Sequence, residues 1–275
     1  MHGQQPTPSM RWHVNDIHFS AVDCARMRER DDLFLLVCSA SFVESGSDTY
    51  TRNLVDHFAG DTEVASWLIE HWEPEELQHG RALKTYVQHV WPAFDWDTAY
   101  ADFFAEYSRL CTTEELEPTR AQEMVARCIV EMGTTTYYQA LATACDEPVL
   151  RDLAWRIRTD EVQHYKHFYQ FFLRYQGLEN TQRRQVIAAL WRRVNELRQS
   201  DTTIALRHAA AWRFRGRPDA PTAADINKRV YALMGAEYPV GLAVRMALKP
   251  LRLGGRMQRW VERPLAALVR QVLLH

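Results

Sequence analysis

Two tetrapeptides of one form, Glu76-Leu77-Gln78-His79 and Glu161-Val162-Gln163-His164, are the residues of this chain best suited to chemistry. On an α-helix, positions i and i+3 share a face about one turn apart, so the Glu and His of each tetrapeptide can bind one metal ion together. An acid stands immediately before each, Glu75 and Asp160. A ligating imidazole needs an acceptor for its second ring nitrogen, and a carboxylate from a neighbouring helix would supply it. Two ions held side by side between helices require two further carboxylates, one from each remaining helix. Glu44 and Glu131 are the candidates, 32 residues before Glu76 and 30 before Glu161.

The neighbours of these two glutamates put them in an interior. Leu33 to Val43 is an apolar run that Glu44 interrupts, and Tyr50, Leu54, Val55 and Phe58 continue it at helical spacing. Glu131 follows Val125, Cys128, Ile129 and Val130 and precedes Met132, Tyr137, Tyr138 and Leu141. An unpaired carboxylate in such a stripe is costly, and metal coordination removes that cost. With 11 histidines in the chain, one Glu-x-x-His would carry little weight. Two of the same form, each preceded by an acid and each with an isolated upstream Glu at a similar distance, predict a site for two metal ions.

Such a site has to be positioned by helices, and the chain supplies the pattern for them. Gly and Pro number only 11 each in 275 residues, and the apolar residues recur at helical rather than alternating spacing. The spacing predicts helices over Asp31 to Phe58 and Thr62 to Val90, the latter ended by Trp91-Pro92 and kinked at Pro74. Shorter or equal segments follow at Trp96 to Leu110, Pro118 to Cys145, Pro148 to Tyr175 and Thr181 to Ser200. Hydrophobic content of 47% and charged content of 25% are those of a soluble globular protein large enough to bury a sizeable core. The expected class is all-α, a four-helix bundle with additional helices, divided into an N-terminal arm (1–30), a di-metal bundle (31–204) and a basic amphipathic extension (205–275).

Location and redox state follow from the same composition. Met1 to Met10 is polar, carries two prolines and lacks the apolar core of a signal peptide, and no apolar run is long enough to span a bilayer. A cytoplasmic protein is expected. The five cysteines form no Cys-x-x-Cys pair and sit mostly in apolar helical stretches, as reduced core thiols do. From Ala205 onward there are 13 Lys plus Arg against 4 Asp plus Glu, a balance of +9 that leaves −11 for the first 204 residues. Within this tail, Val240 to His275 interleaves apolar residues with Arg245, Lys249, Arg252, Arg256, Arg259, Arg263 and Arg270. That pattern suits peripheral contact with an anionic membrane, docking on an acidic partner, or packing on the chain's own acidic bundle.

At the ligand segments the chain resembles the ferritin-like di-iron superfamily, and within it the soluble acyl-carrier-protein desaturases. Trp72-Glu73-Pro74-Glu75-Glu76-Leu77-Gln78-His79-Gly80 is similar to that family's Trp-x-x-Glu-Glu-Asn-Arg-His-Gly, and Asp160-Glu161-Val162-Gln163-His164 to its Asp-Glu-Lys-Arg-His. Val43-Glu44 through Thr49-Tyr50 resembles the first ligand helix, and Glu131-Met132-Gly133-Thr134 the third. The resemblance covers roughly Asp31 to Tyr175. It implies that Glu44, Glu76, His79, Glu131, Glu161 and His164 hold two Fe ions, with Mn or a mixed Mn/Fe pair as variants. It places Thr134 near the oxygen-binding face, where a helix-backbone hydrogen bond is the alternative role for its hydroxyl. It also gives Trp72 and Asp160 a part in hydrogen bonding and electron delivery, although Trp72 could equally be core.

The implied chemistry is activation of O2 with electrons from a donor such as a ferredoxin, and oxidation of an unactivated C–H bond of a fatty-acyl or similar hydrophobic substrate by desaturation or hydroxylation. An acyl-carrier protein could present the substrate, a long apolar channel would run beside the metals, and a homodimer, frequent in the family, is a possible assembly. Gln78 and Gln163 replace the family's Arg in each motif, a departure at the surroundings of the metals. Other substrates remain open on the same scaffold. An N-oxygenase of the type with a seventh His ligand is disfavoured by Ile157, a tRNA hydroxylase would use the basic tail, and a non-catalytic metal-binding bundle would turn nothing over.

Overall fold

Residues 10–196 and 201–274 are described in the computed structural model, and among them the chain is 79% helix with no strand. The expected all-α class is thus found. The short α1 (Cys24–Met27) leads into α2 (Asp31–Ser45), whose first turn carries Asp31 and Asp32 at the favourable positive end of the helix dipole. Leu33 to Cys38 are buried without interruption, so α2 is surrounded by protein on all sides rather than presenting one apolar stripe.

The single helix expected over Asp31 to Phe58 is in fact two. The break falls at Gly46 (φ −98°, ψ 4°), after which α3 (Ser47–His57) begins at once. The Ser47 hydroxyl donates to the carbonyl of Glu44 at 2.9 Å, and a Cβ at Gly46 would come within 3.0 Å of the Tyr107 ring. Glu44 therefore sits in the last turn of α2, beside a bend, and not in the middle of a long rod.

The second expected helix is continuous but not uniform. α4 (Thr62–Trp67), capped by the Asp61 carboxylate, passes through a π-helical turn at Leu68–Trp72 into α5 (Glu73–Val90). Pro74 lies in the first turn of α5, so its missing N–H falls where the wider π turn has already altered the hydrogen-bond ladder. After α6 (Trp96–Tyr107) come the two longest elements. α7 (Arg120–Ala144) is capped by the Thr119 hydroxyl, and α8 (Pro148–Leu178) by the Glu147 carboxylate with Pro148 in its first turn.

These helices pair as α2 with α5 and α7 with α8, and α5 also meets α8. Glycine at position 80 permits the first pairing. A Cβ there would lie 2.6 Å from the Ser45 hydroxyl and 2.8 Å from the Ser45 backbone nitrogen.

The remainder wraps this core. α9 (Arg183–Glu196) packs on α7, and residues 197–200 of the expected Thr181 to Ser200 helix lie outside the described residues. α10 (Asp201–Arg213) packs on α2 and α6, so the expected division at 204/205 falls inside a helix whose Ala205, Ala209 and Ala210 belong to the core. α11 (Ala223–Met234) lies on α2 and α7, and α12 (Val240–Leu248) joins α7 to the terminal α13 (Gly255–Leu274). The arm expected over residues 1–30 is packed down where it is described, with Trp12, Ile17, Val22 and Met27 buried, while residues 1–9 lie outside the described residues. All five cysteines are free thiols.

Replacing a mid-helix glycine by alanine ordinarily gains up to about 1 kcal/mol. For Gly80→Ala the collision with Ser45 backbone reverses the sign, and a loss of about 1–3 kcal/mol is expected in chemical denaturation. A neutral or stabilised variant would show that α2 and α5 are not held this close.

Candidate metal centre

Each of the four paired helices sends carboxylates to one buried point. Glu44 comes from the end of α2, Glu76 and His79 from α5, Glu131 from α7, and Glu161 and His164 from α8. The donor atoms form two groups in which all lie within 4.8 Å of one another: Glu44, Glu76, His79 and Glu161 in one, and Glu76, Glu131, Glu161 and His164 in the other. Glu76 and Glu161 belong to both. The structure thus brings together all six residues singled out in the sequence.

Geometry within the cluster is that of donors facing a common centre. His79 Nδ1 lies 3.2 Å from Glu161 Oε1 and 3.9 Å from both Glu44 Oε2 and Glu76 Oε2. His164 Nδ1 lies 3.0 Å from Glu76 Oε1, 3.6 Å from Glu131 Oε2 and 3.7 Å from Glu161 Oε2. Four of these buried atoms, Nδ1 of both histidines, Glu131 Oε2 and Glu161 Oε1, have no properly directed hydrogen bond. Buried polar atoms are rarely left so, and four aimed at each other are what bound cations would satisfy. The donor set fits two divalent ions.

The outward ring nitrogens show how the two motifs brace one another. His79 Nε2 is 3.0 Å from Asp160 Oδ2, and His164 Nε2 is 2.8 Å from Glu75 Oε2. The acid that precedes each motif therefore serves the histidine of the other, across α5 and α8. Such partners fix ring orientation and leave Nδ1 of each ring for the centre. Trp72 donates from Nε1 to Glu131 Oε1 at 3.1 Å, so it is tied to a candidate ligand as well as packed in the core. The Thr134 hydroxyl lies 2.7 Å from Glu161 Oε2 and 3.2 Å from the Glu131 carbonyl, which brings both roles considered for it within reach of one proton.

Three contributors were not identified from the sequence. Trp12 donates from Nε1 to Asp160 Oδ2 at 2.7 Å and stacks parallel to the His79 ring at 6.1 Å. Arg11 bonds Asp160 Oδ1 at 2.6 Å and Glu75 Oε2 at 3.2 Å, touching both bracing acids. Neither lies in a periodic segment, and no local signal pointed to them. Gln78, which departs from the family pattern, donates to the Trp12 carbonyl at 2.9 Å and so holds this arm in place. Tyr138 donates to Glu44 Oε1 at 2.5 Å. Its position seven residues after Glu131 puts it on the same face of α7, a signal that was available.

Electrostatics without bound cations show how much charge the cluster must neutralise. Burial works to lower the basicity of both imidazoles, but the carboxylates that face them, Asp160, Glu161 and Glu44 at His79 and Glu131, Glu161, Glu75 and Glu76 at His164, raise both well above the usual histidine range. Burial, with repulsion from Glu161 and Glu44, holds the Glu76 carboxyl well above its ordinary value. Burial likewise moves Glu131 up to about 8. Glu161 goes the other way: burial opposes ionisation, yet the imidazoles of His164 and His79 beside it take it well below the carboxylate range. Both imidazoles and two of the carboxyls are thereby shifted toward holding protons.

Of the surface depressions, one is lined by Asp31, Arg229 and Leu233 and another by Glu63, Trp67 and His71; neither is lined by any of the six donors. Compared with known proteins, the chain matches no family model and no curated protein.

Metal loading has to expel the protons held by the imidazoles and the raised carboxyls. Anaerobic titration of the metal-free protein with Fe(II) or Mn(II) in weak buffer is expected to release at least about one proton per ion, and affinity to tighten as pH rises from about 6 to about 8. Uptake at constant affinity with no proton release would contradict this arrangement.

Proposed function

We propose that this chain is a ferritin-like four-helix carboxylate protein that holds two Fe or Mn ions, and that it is an oxidoreductase acting with dioxygen on an unactivated C–H bond of a fatty-acyl or similar hydrophobic substrate. The observation that carries the metal half of this proposal is the presence of Glu76 and Glu161 in both donor groups, which is the arrangement bridging carboxylates require. Carboxylate oxygens and imidazoles suit Fe or Mn, and the resemblance of the ligand segments to acyl-carrier-protein desaturases supports the oxidative half. When bound, the metal pair would supply reductive activation of dioxygen.

The chain's own residues have separable tasks. Glu44 with His79 would hold one ion and Glu131 with His164 the other, with Glu76 and Glu161 between them. Asp160 and Glu75 orient the imidazoles. Thr134 can hold a proton at Oγ1 against Glu161 Oε2, and a Cβ at the adjacent Gly133 would meet nothing within 4 Å, which leaves open space at this side of α7. Trp72, packed edge-on against the buried Phe168, shields the Glu131 carboxylate it bonds from water. The Trp12–Asp160–His79 chain of contacts, with the half-exposed Arg11 beside it, offers a route by which an external donor such as a ferredoxin would reach the centre.

A second reading is a bundle whose metal pair is structural: it uses the same donors and differs in predicting no oxygen consumption. An N-oxygenase with a seventh ligand has no support, since Ile157, one turn before Glu161, is fully buried apolar core.

Elemental analysis of the purified protein is expected to give about two Fe or Mn per chain, and near none in a Glu161→Ala, His164→Ala double variant. With a reductant and acyl substrates, the loaded wild type should then consume oxygen in a substrate-dependent manner. Two bound ions without such consumption would leave the structural reading standing, and no bound ion after anaerobic reconstitution would remove both.

A further inference from the structure

The last helix has a surface that neither the cluster nor the core uses. On the inner side of α13, Leu265, Ala266 and Val269 pack against Val240, Val244 and Leu248 of α12, and its single acid, Glu262, is turned inward to Arg245 at 3.1 Å. The outer side is divided in two. Arg256, Arg259, Arg263 and Arg270 fall in one narrow stripe at the helical period, and none of them makes an ion pair among the described residues. Next to that stripe runs an exposed apolar face with Met257, Val261, Leu268 and Trp260, the last 84% exposed.

A second exposed apolar face lies close by. α9 packs against the Lys249–Leu251 turn that connects α12 to α13, and on its open side Ile187, Trp191 and Val194 follow one another at i, i+4 and i+7, with Trp191 68% exposed. Leu178, at the end of α8, is 71% exposed, and Arg252 ties this end to the same turn through Gln176 at 3.1 Å. Isolated exposed apolar residues are ordinary, but two such faces at the Lys249–Leu251 turn, the one on α13 beside arginines, are not.

We propose that α13, with the adjoining face of α9, is an in-plane docking surface for a bilayer containing anionic lipid. Tryptophan is suited to the headgroup boundary, and arginines at the edge of an apolar face can reach phosphates while the face is immersed. Charge complementarity selects the occupant: Arg256, Arg259, Arg263 and Arg270 are without an acid on the outer side of α13, so a negatively charged surface is attracted and a neutral one is not. The two tryptophans and the aliphatic residues favour a lipid interior over the phosphodiester backbone of an RNA. No helix among the described residues is long and apolar enough to cross a membrane, so contact is along the surface. The proposal does not rest on the metal centre or on its chemistry.

Co-sedimentation of the full chain with phosphatidylcholine vesicles, with and without phosphatidylglycerol, tests it. Binding is expected to the phosphatidylglycerol vesicles, weakening with salt, and to fall roughly thirtyfold in Arg259→Gln, Arg263→Gln. Trp191→Ala, Trp260→Ala is expected to cost roughly tenfold with helicity retained. A measurement that needs no variant is tryptophan quenching by lipids brominated in the acyl chain, which should be seen with the wild type. No binding at low salt, binding equal in both variants, absence of quenching, or binding to tRNA alone would each overturn the proposal.

Discussion

Four carboxylates buried in two overlapping groups, each within a few ångströms, are the constraint on which the rest of the structure depends. Two like charges about 4 Å apart repel by roughly 4 kcal/mol in a protein-like dielectric, and burial adds the loss of hydration for each. The shell around Glu44 and Glu131 is chiefly aliphatic and aromatic, and the neutral donors Tyr138 and Trp72 offset only part of this. Two imidazoles can supply at most two positive charges, and Glu76 and Glu131 accordingly hold on to protons. Two divalent ions would supply four, matching the four carboxylates while both histidines are neutral ligands. Charge balance and donor geometry thus support the same proposal.

Much of the surrounding architecture can be understood as holding these groups in register. Asp160 and Glu75 exchange partners across α5 and α8, so neither imidazole can turn without breaking a contact to the opposite helix. Arg11 neutralises both acids from outside, Trp12 covers one of them, and Gln78 fixes the Trp12 backbone. On the other side, Tyr138 ties Glu44 to α7 and Trp72 ties Glu131 to the π turn that precedes α5. The close contact at Gly80 sets the distance between α2 and α5. Each of the four carboxylates has at least one such restraint or a histidine beside it, and helices with no donor of their own, such as α10 and α11, clamp α2 from outside.

The six donors and the two bracing acids were legible in the sequence because helical periodicity converts spacing directly into direction, and because a glutamate within an apolar stripe needs a reason to be there. What was not legible depended on contacts between distant segments. Residues Arg11 to Arg30 carry no period that distinguishes a folded arm from a loose one, and the partners of Arg11 and Trp12 lie more than sixty positions away. The break at Gly46 was hidden by an apolar pattern that continues through it into α3, and the bend becomes intelligible only with the Tyr107 ring beside it. The π turn before Pro74 was anticipated only as a kink. For the tail, sequence showed a basic amphipathic helix but not which side is covered; the packing of Leu265 and Val269 on α12 is what leaves Trp260 and the arginines outside.

The central claim is that Glu76 and Glu161 lie between two metal ions. Anomalous X-ray scattering at the metal edge, on crystals of protein loaded anaerobically with Fe(II) or Mn(II), tests this most directly. The account predicts two peaks roughly 3.5–4 Å apart, flanking Glu76 and Glu161 and each within bonding distance of one Nδ1. A single peak, or none with the histidine–carboxylate contacts unchanged, would contradict it and leave a buried acidic network whose charge is balanced by protons alone.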